Sequence, residues 1–183
     1  MKCGIEIIDN TLGEKGFPTK GLVSITGSSE IYQSRIMKEI ALNIASYFPA
    51  ILVISTKFGQ WTTKDISTKN NISILEIEQP DLFRNIQAIT LAENREAYPV
   101  VFIDFVKSTT SAIDVISIKK LIEDEKSILT IVNCIGDRNI SGFNLEQLLV
   151  MSSILSFKIE EKIEGDHLRI DIGMLGPYLQ KNT

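Results

Sequence analysis

Short apolar runs alternate with longer amphipathic stretches along most of the chain. The runs at 22–26, 50–56, 72–77, 100–105 and 128–134 predict β-strands. A strand that is covered on both faces of a parallel sheet carries such a nearly continuous apolar run. We therefore expect a central sheet with most of its strands parallel.

Apolar residues recur at three- and four-residue steps within 33–47, 82–92 and 113–125, which predicts amphipathic helices. A helix of one or two turns is expected at 5–12, ahead of the first strand. Asn144 is predicted to open another short helix, with Gln147 as its capping-box partner.

The last part of the chain changes to strict alternation of apolar and polar residues. This alternation covers 155–160 and 168–172, on either side of a turn at 164–166. It predicts a β-hairpin with one buried and one wet face. The whole pattern predicts an α/β fold, with a mainly parallel β-sheet flanked by helices and an antiparallel β-hairpin at its end.

The connection between the first strand and the following helix has the frame of a phosphate-binding loop. In the pattern G-x-x-x-x-G-K-[ST], Gly27 is the first glycine and Ser34 the closing hydroxyl. Tyr32 and Gln33 replace the second glycine and the lysine, which removes the backbone curl and the charge that a triphosphate needs. Glu30 adds a carboxylate that would repel phosphate.

Two interpretations of this connection stay open, a degenerate nucleotide-binding loop and an ordinary strand–turn–helix. In the first, the residues that would contact a nucleotide are Gly27, Ser28, Ser29, Gln33 and Ser34. Ligands of parallel sheets bind at the carboxyl ends of the strands. In this sequence, that edge would hold 27–34, Lys57, Asp104 and Asn133.

Composition excludes several classes of function. The chain has 183 residues, of which 44% are hydrophobic and 23% charged, as expected for one globular domain. Its net charge of −4 argues against general attraction to nucleic acid or to acidic membranes. Cys3 and Cys134 form no C-x-x-C motif and predict reduced thiols, and one histidine, His167, argues against histidine-based metal or triad chemistry. With no leader pattern and no apolar run near about 18 residues, we expect a cytoplasmic protein without a membrane span.

Several segments together resemble the ATPase core of the RecA/RadA/KaiC superfamily. The opening Cys3-Gly-Ile-Glu-Ile-Ile-Asp9 with the following Leu-Gly is similar to the T-G-x-x-x-L-D-x-x-L-G-G lead-in of that family. The run at 100–104 is similar to its Walker B strand, and the order and spacing of the other strands and of the hairpin at 154–173 agree as well. The chain looks most like a degenerate archaeal RadA paralogue. This implies a RecA-like P-loop NTPase fold over 1–183 as a single core domain, with no separate N-terminal DNA-binding domain.

The departures from the family pattern fall at the positions needed for hydrolysis. Lys57 stands at the position of the catalytic glutamate, Cys134 stands where glutamine often follows the sensor strand, and 171–174 lacks the K-x-R pair of the closing hairpin. Only Ser34 and Asp104 match positions of magnesium ligands. The resemblance therefore implies a protein without ATPase activity. The only cofactors that it suggests are ATP or ADP with Mg²⁺, bound without hydrolysis.

The expected function is that of an accessory or regulatory binding protein in DNA recombination and repair, with a recombinase or a related ATPase subunit as protein partner. Alternatives are a KaiC-like signalling or motor-accessory module that binds nucleotide without hydrolysing it, and an ATPase completed in trans by a partner's cation. DNA binding by this chain alone is expected to be weak, because its lysines are scattered.

Some side chains near the expected site have more than one interpretation. Asp104 is either a metal ligand or a turn former or helix cap. Lys57 is a candidate ion-pair partner of Asp104 or Glu30. The aromatic residues near this edge belong either to the core or to a contact patch for a partner: Tyr32, Phe58 and Trp61.

Overall fold

A seven-stranded sheet forms the centre of the molecule. The computed structural model describes residues 1–56, 60–61, 66, 69–78, 98–107, 128–136, 144–164 and 167–179. Its strands are β1 (Gly21–Gly27), β2 (Ile51–Ser55), β3 (Ile72–Glu76), β4 (Val100–Lys107), β5 (Leu129–Ile135), β6 (Leu155–Glu164) and β7 (His167–Leu175). They lie in the order β3-β2-β4-β5-β1-β6-β7, and every pair is parallel except the antiparallel hairpin β6–β7. The predicted α/β fold with a mainly parallel sheet and a closing hairpin is confirmed.

Helices flank the sheet: α1 (Glu6–Leu12), α2 (Glu30–Ile44) and α3 (Leu145–Ser152). The predicted short helix before β1 is confirmed. The helices expected at 82–92 and 113–125 lie outside the described residues. Within the described ranges, every helix is too short or too polar to cross a bilayer.

The helix α2 begins three residues earlier than its apolar spacing predicts. Ser29 has an extended backbone (φ −104°, ψ 90°) and is the last residue before the helix, so Glu30 and Tyr32 belong to the first turn. The helix also ends earlier, at Ile44, where the N–H of Tyr47 donates to the Ile44 carbonyl at 2.9 Å and tightens the chain into a turn. Glu30 is polar and Ile31 is 76% exposed, so the first turn does not continue the buried apolar spacing of the helix, which is why sequence spacing missed it.

Each face of the sheet contributes one side of a hydrophobic layer, because successive side chains of a strand point to opposite faces. On one face, α1 and α2 pack on alternate strand residues such as Ile25, Phe102 and Ile131. On the other face, α3 packs through Leu145 and Leu149 on the intervening residues of the same strands. The strand β1 is therefore covered on both faces, and its carboxyl end lies between the two layers.

The predicted start of the third helix is confirmed. Asn144 has an extended backbone (φ −135°, ψ 177°), and its side-chain oxygen accepts a hydrogen bond from the Gln147 N–H at 3.1 Å. This bond satisfies one of the first-turn donors that have no partner within the helix. It also places Glu146 in the first turn of α3, close to the end of β5.

The chain ahead of α1 is held by the side chain of Asp9. Its two carboxylate oxygens accept hydrogen bonds from the backbone N–H groups of Cys3 and Gly4, at 2.8 and 3.0 Å. Cys3 is fully buried among the hydrophobic residues that lie between the sheet and the helices α1 and α2. Asp9 therefore fixes the N-terminal segment where its cysteine joins the core.

We expect Asp9→Ala to lower the free energy of unfolding by about 1–2 kcal/mol, because two backbone donors lose a charged acceptor. Denaturant-induced unfolding followed by circular dichroism measures the change. The matched control is Glu14→Ala, which removes an exposed carboxylate nearby and should change stability by less than about 0.5 kcal/mol. Equal stability of the two variants would contradict this role of Asp9.

Candidate functional site

The sheet has a topological switch point between β1 and β5, which are parallel neighbours. From β1 the chain continues through α2 towards β2, on one side of the pair. From β5 it continues through α3 to β6, on the other side of β1. Ligands of open α/β sheets bind in the crevice at the carboxyl ends of such strands.

A cleft of about 430 Å³ opens at this position. It is lined by the ends of β1 and β5, the first turn of α3 and one stretch of β6: Gly27, Ser28, Gly136, Glu146, Lys158, Glu160, Glu161 and Lys162. Charged side chains therefore line most of the cleft, and three of them are carboxylates.

Both ammonium groups of the cleft already have a carboxylate partner. Lys158 forms an ion pair with Glu160 at 2.7 Å, and Lys162 with Asp171 of β7 at 2.5 Å. The hydrogen bond and the charge of Glu160 raise the pKa of Lys158, so this lysine stays protonated at neutral pH. Both lysines are about half exposed, 53% for Lys158 and 52% for Lys162, so these are surface ion pairs of modest strength.

The other two carboxylates lie closer to the strand ends. Burial raises the pKa of the half-buried Glu146, and the charge of Lys158 offsets part of this effect. Glu161 accepts a hydrogen bond from the hydroxyl of the buried Ser29, the residue that precedes α2. A helix N-terminus favours a nearby anion. The Glu161 carboxylate supplies this negative charge at the start of α2.

The connection between β1 and α2 consists of Ser28 and Ser29 only. Gly27 has a φ of +139°, and a Cβ at this position would lie 2.1 Å from the Ile159 carbonyl of β6. The glycine is therefore required where β1 and β6 approach each other, whether or not phosphate binds. Tyr32 falls within the helix and not in a loop.

Gln33, which the P-loop pattern aligns with its lysine, is fully buried. Its side-chain N–H₂ donates to the backbone carbonyl of Cys134 in β5 at 3.1 Å. Its amide oxygen is buried and, among the described residues, has no hydrogen-bond partner. Gln33 thus connects α2 to the sheet from inside the protein.

Ser34 and Asp104, the predicted magnesium ligands, both accept hydrogen bonds from protein donors. The side-chain N–H₂ of Gln60 donates to the Ser34 hydroxyl. The indole N–H of Trp61 and the side-chain N–H₂ of Asn133 each donate to a different oxygen of Asp104, both at 2.6 Å. Asp104 and Asn133 are therefore in direct contact, and Gln33 and Ser34 in the first turns of α2 are linked to them through Cys134 and through the neighbouring donors Gln60 and Trp61.

Asp104 lies inside β4, which continues to Lys107, at a shift in the β4–β5 register between Ile103 and Val106. Its interpretation as a turn former or helix cap remains a prediction, because the residues that follow β4 lie outside the described ranges. A bulge of this kind re-aims a side chain out of the regular pleat. Trp61 is fully buried with its ring centroid 6.1 Å from that of Phe102, which confirms the core interpretation for this residue.

Other predicted site residues stay untested. Lys57 and Phe58 lie outside the described residues, so the ion pair of Lys57 with Asp104 or Glu30 remains a prediction. Tyr32 is half-buried and packs against the hydrophobic residues that lie between the sheet and the helices α1 and α2. Sequence reasoning missed Gln60, Glu146 and Glu161, since only their distant partners give them a role.

The two cysteines are free thiols in the interior. Burial raises the pKa of Cys3 to about 12. Burial and the charge of Glu146 also raise the pKa of Cys134. Neither thiol is a nucleophile at neutral pH, since only the thiolate is reactive.

The residues present do not fit a bound Mg²⁺. The ion requires several oxygen ligands in near-octahedral geometry. In the described parts of the chain, no three His, Cys, Asp or Glu side chains converge as a metal site. The Ser34 hydroxyl and both Asp104 oxygens instead face N–H donors.

A scan against protein-family models and a search of curated proteins both found no match. The function of the cleft and of the buried cluster is therefore inferred from their residues and geometry.

Proposed function

We propose that this chain is a RecA/RadA-like accessory protein that binds a protein partner and does not hydrolyse ATP. The order of the matching segments supports this proposal, and so does the mainly parallel sheet that ends in a hairpin. The resemblance suggests a recombinase or a related ATPase subunit as partner, and DNA recombination and repair as the setting. The assignment of 1–183 to one RecA-like P-loop core belongs to the same proposal.

The position of Gln33 is the observation that carries it. Phosphoryl transfer requires a cation on the β- and γ-phosphates, which a P-loop provides with its lysine. Gln33 has no charge, is fully buried and donates to the Cys134 carbonyl. This side chain contributes to the packing of α2 on the sheet, where a lysine would have to extend towards a nucleotide.

The charges of the neighbouring cleft support the same proposal. Glu161 of β6 contacts Ser29, the residue in front of α2. Glu146 of α3 lies beside Gly136, just after β5. A polyphosphate in this cleft would meet carboxylates at short range while both nearby lysines are engaged in ion pairs. Such a cleft disfavours ATP binding.

We expect no magnesium-dependent ATP hydrolysis above a blank, and no change in fluorescence when ATP or ADP with Mg²⁺ is added. Trp61 is the only tryptophan and contacts Asp104, so its emission reports directly on this cluster. A phosphate-release assay and a fluorescence titration on the full chain measure the two effects. The control is Asp104→Ala, which removes the carboxylate that the Walker B resemblance assigns to magnesium.

Hydrolysis that is lost in Asp104→Ala would contradict the proposal. Hydrolysis that appears only when a recombinase-type ATPase is added, and that still requires Asp104, would also contradict it and would favour an ATPase completed in trans.

A further inference from the structure

We propose that Gln60 and Trp61 take the place of a magnesium ion, so that the site is closed to the metal by the protein's own donors. The inference rests on the proposed function and concerns the same cluster. It explains how Ser34 and Asp104 are retained in a protein that does not use them for hydrolysis.

The two donors cover both side chains that the family resemblance assigns to the metal. Gln60 donates to the hydroxyl of Ser34, and Trp61 donates to Asp104 Oδ2 at 2.6 Å. Ser34 is 2% exposed and Asp104 is fully buried, so neither is hydrated in the manner of a surface group. A buried carboxylate is costly unless it accepts hydrogen bonds or is paired, and N–H donors supply part of this compensation without a cation.

The two donors are consecutive residues, so one short piece of backbone places both. Trp61 is held in the core by its ring, which packs against Phe102. Entry of a metal at Asp104 Oδ2 would require a fully buried indole to move. The packing of Trp61 therefore excludes the metal, in addition to the hydrogen bonds.

The rest of the cluster is rich in acceptors. The side-chain oxygens of Gln33 and Asn133 are buried and, within the described ranges, accept no hydrogen bond. Amide, hydroxyl and carboxylate oxygens are the ligands of hard cations such as Mg²⁺. Removal of the two N–H donors should therefore leave an oxygen-rich cluster that attracts the ion.

The test is the double variant Gln60→Ala with Trp61→Phe, which removes both donors and keeps an aromatic ring in the core. Thermal unfolding of the full chain is measured across a series of millimolar MgCl₂ concentrations, without nucleotide. We expect the melting temperature of the native protein to be insensitive to Mg²⁺ and that of the variant to rise as the MgCl₂ concentration increases. Adding Ser34→Ala to the double variant should abolish the response.

The matched control is Gln147→Ala with Tyr98→Phe, which removes an exposed amide and a side-chain donor outside the cluster. This control should remain insensitive to Mg²⁺. If the double variant does not fold, Trp61→Phe alone decides by the same series of melting temperatures, because it removes the indole that blocks Asp104 Oδ2 and keeps an aromatic ring beside Phe102. An unchanged response to Mg²⁺ in the folded variant, or an equal response in the native protein, overturns the inference. The proposed function has a separate test, since ATP hydrolysis by the native chain would contradict it whatever the response to Mg²⁺.

Discussion

Gly27→Ala is expected to lower the free energy of unfolding by about 3 kcal/mol or more. The added methyl would lie 2.1 Å from the Ile159 carbonyl, and both partners are backbone positions of paired strands that cannot rotate away. The φ of +139° adds conformational strain, because side chains other than glycine rarely adopt it. Steric overlap in a packed region and backbone strain each cost about 1–3 kcal/mol.

The comparison for this variant is Gly173→Ala, at an exposed position of β7. The nearest atom to a Cβ there is the Lys158 carbonyl oxygen, at an ordinary contact distance of 3.8 Å. Denaturant unfolding of both variants separates the contact at Gly27 from the general effect of losing a glycine. A Gly27→Ala protein as stable as Gly173→Ala would show that β1 and β6 do not approach as closely as described.

Trp61→Ala is expected to cost about 3–5 kcal/mol, the range for truncation of a large buried aromatic side chain. Trp61 is fully buried, packs against Phe102 and donates to Asp104 at 2.6 Å. The variant would therefore leave a cavity and take one donor from a buried carboxylate. Both effects act on the same strand, β4, which lies near the middle of the sheet.

Trp61→Phe divides this cost into its two parts. It keeps most of the ring volume and loses the indole N–H, so we expect a loss of about 1–3 kcal/mol from the missing donor. Urea unfolding followed by far-ultraviolet circular dichroism compares the native protein with both variants. A small effect of Trp61→Ala, within about 1 kcal/mol, would mean that this side chain is not part of the core.

The strands were the most predictable part of the fold. A strand such as β1 or β5 is covered on both faces, so its apolar run is visible without knowledge of its neighbours. The hairpin was predictable for the opposite reason, since one wet face imposes strict alternation. The start of α2 was less predictable, because Glu30 is polar, Ile31 is exposed and only the extended Ser29 marks the boundary.

The candidate site was predictable in its position and not in its contacts. Gln33 and Ser34 come shortly after β1, and Asp104 and Asn133 lie near the carboxyl ends of β4 and β5. Parallel strands bring these ends to one edge. Their partners give no local signal. The hydrogen bond from Gln60 to Ser34 spans 26 residues, and the one from Ser29 to Glu161 spans 132.

The sequence by itself determined the α/β class, the closing hairpin and the uncharged side chain at position 33, because each depends on residue type or on local periodicity. Only the tertiary structure decided which contacts the residues of the candidate site make. Gln33 turns into the core, Glu161 supplies a carboxylate to the start of α2, and Trp61 donates to Asp104. These contacts join residues far apart in the chain, and only the strand order, set by the packing of both hydrophobic layers, brings them together.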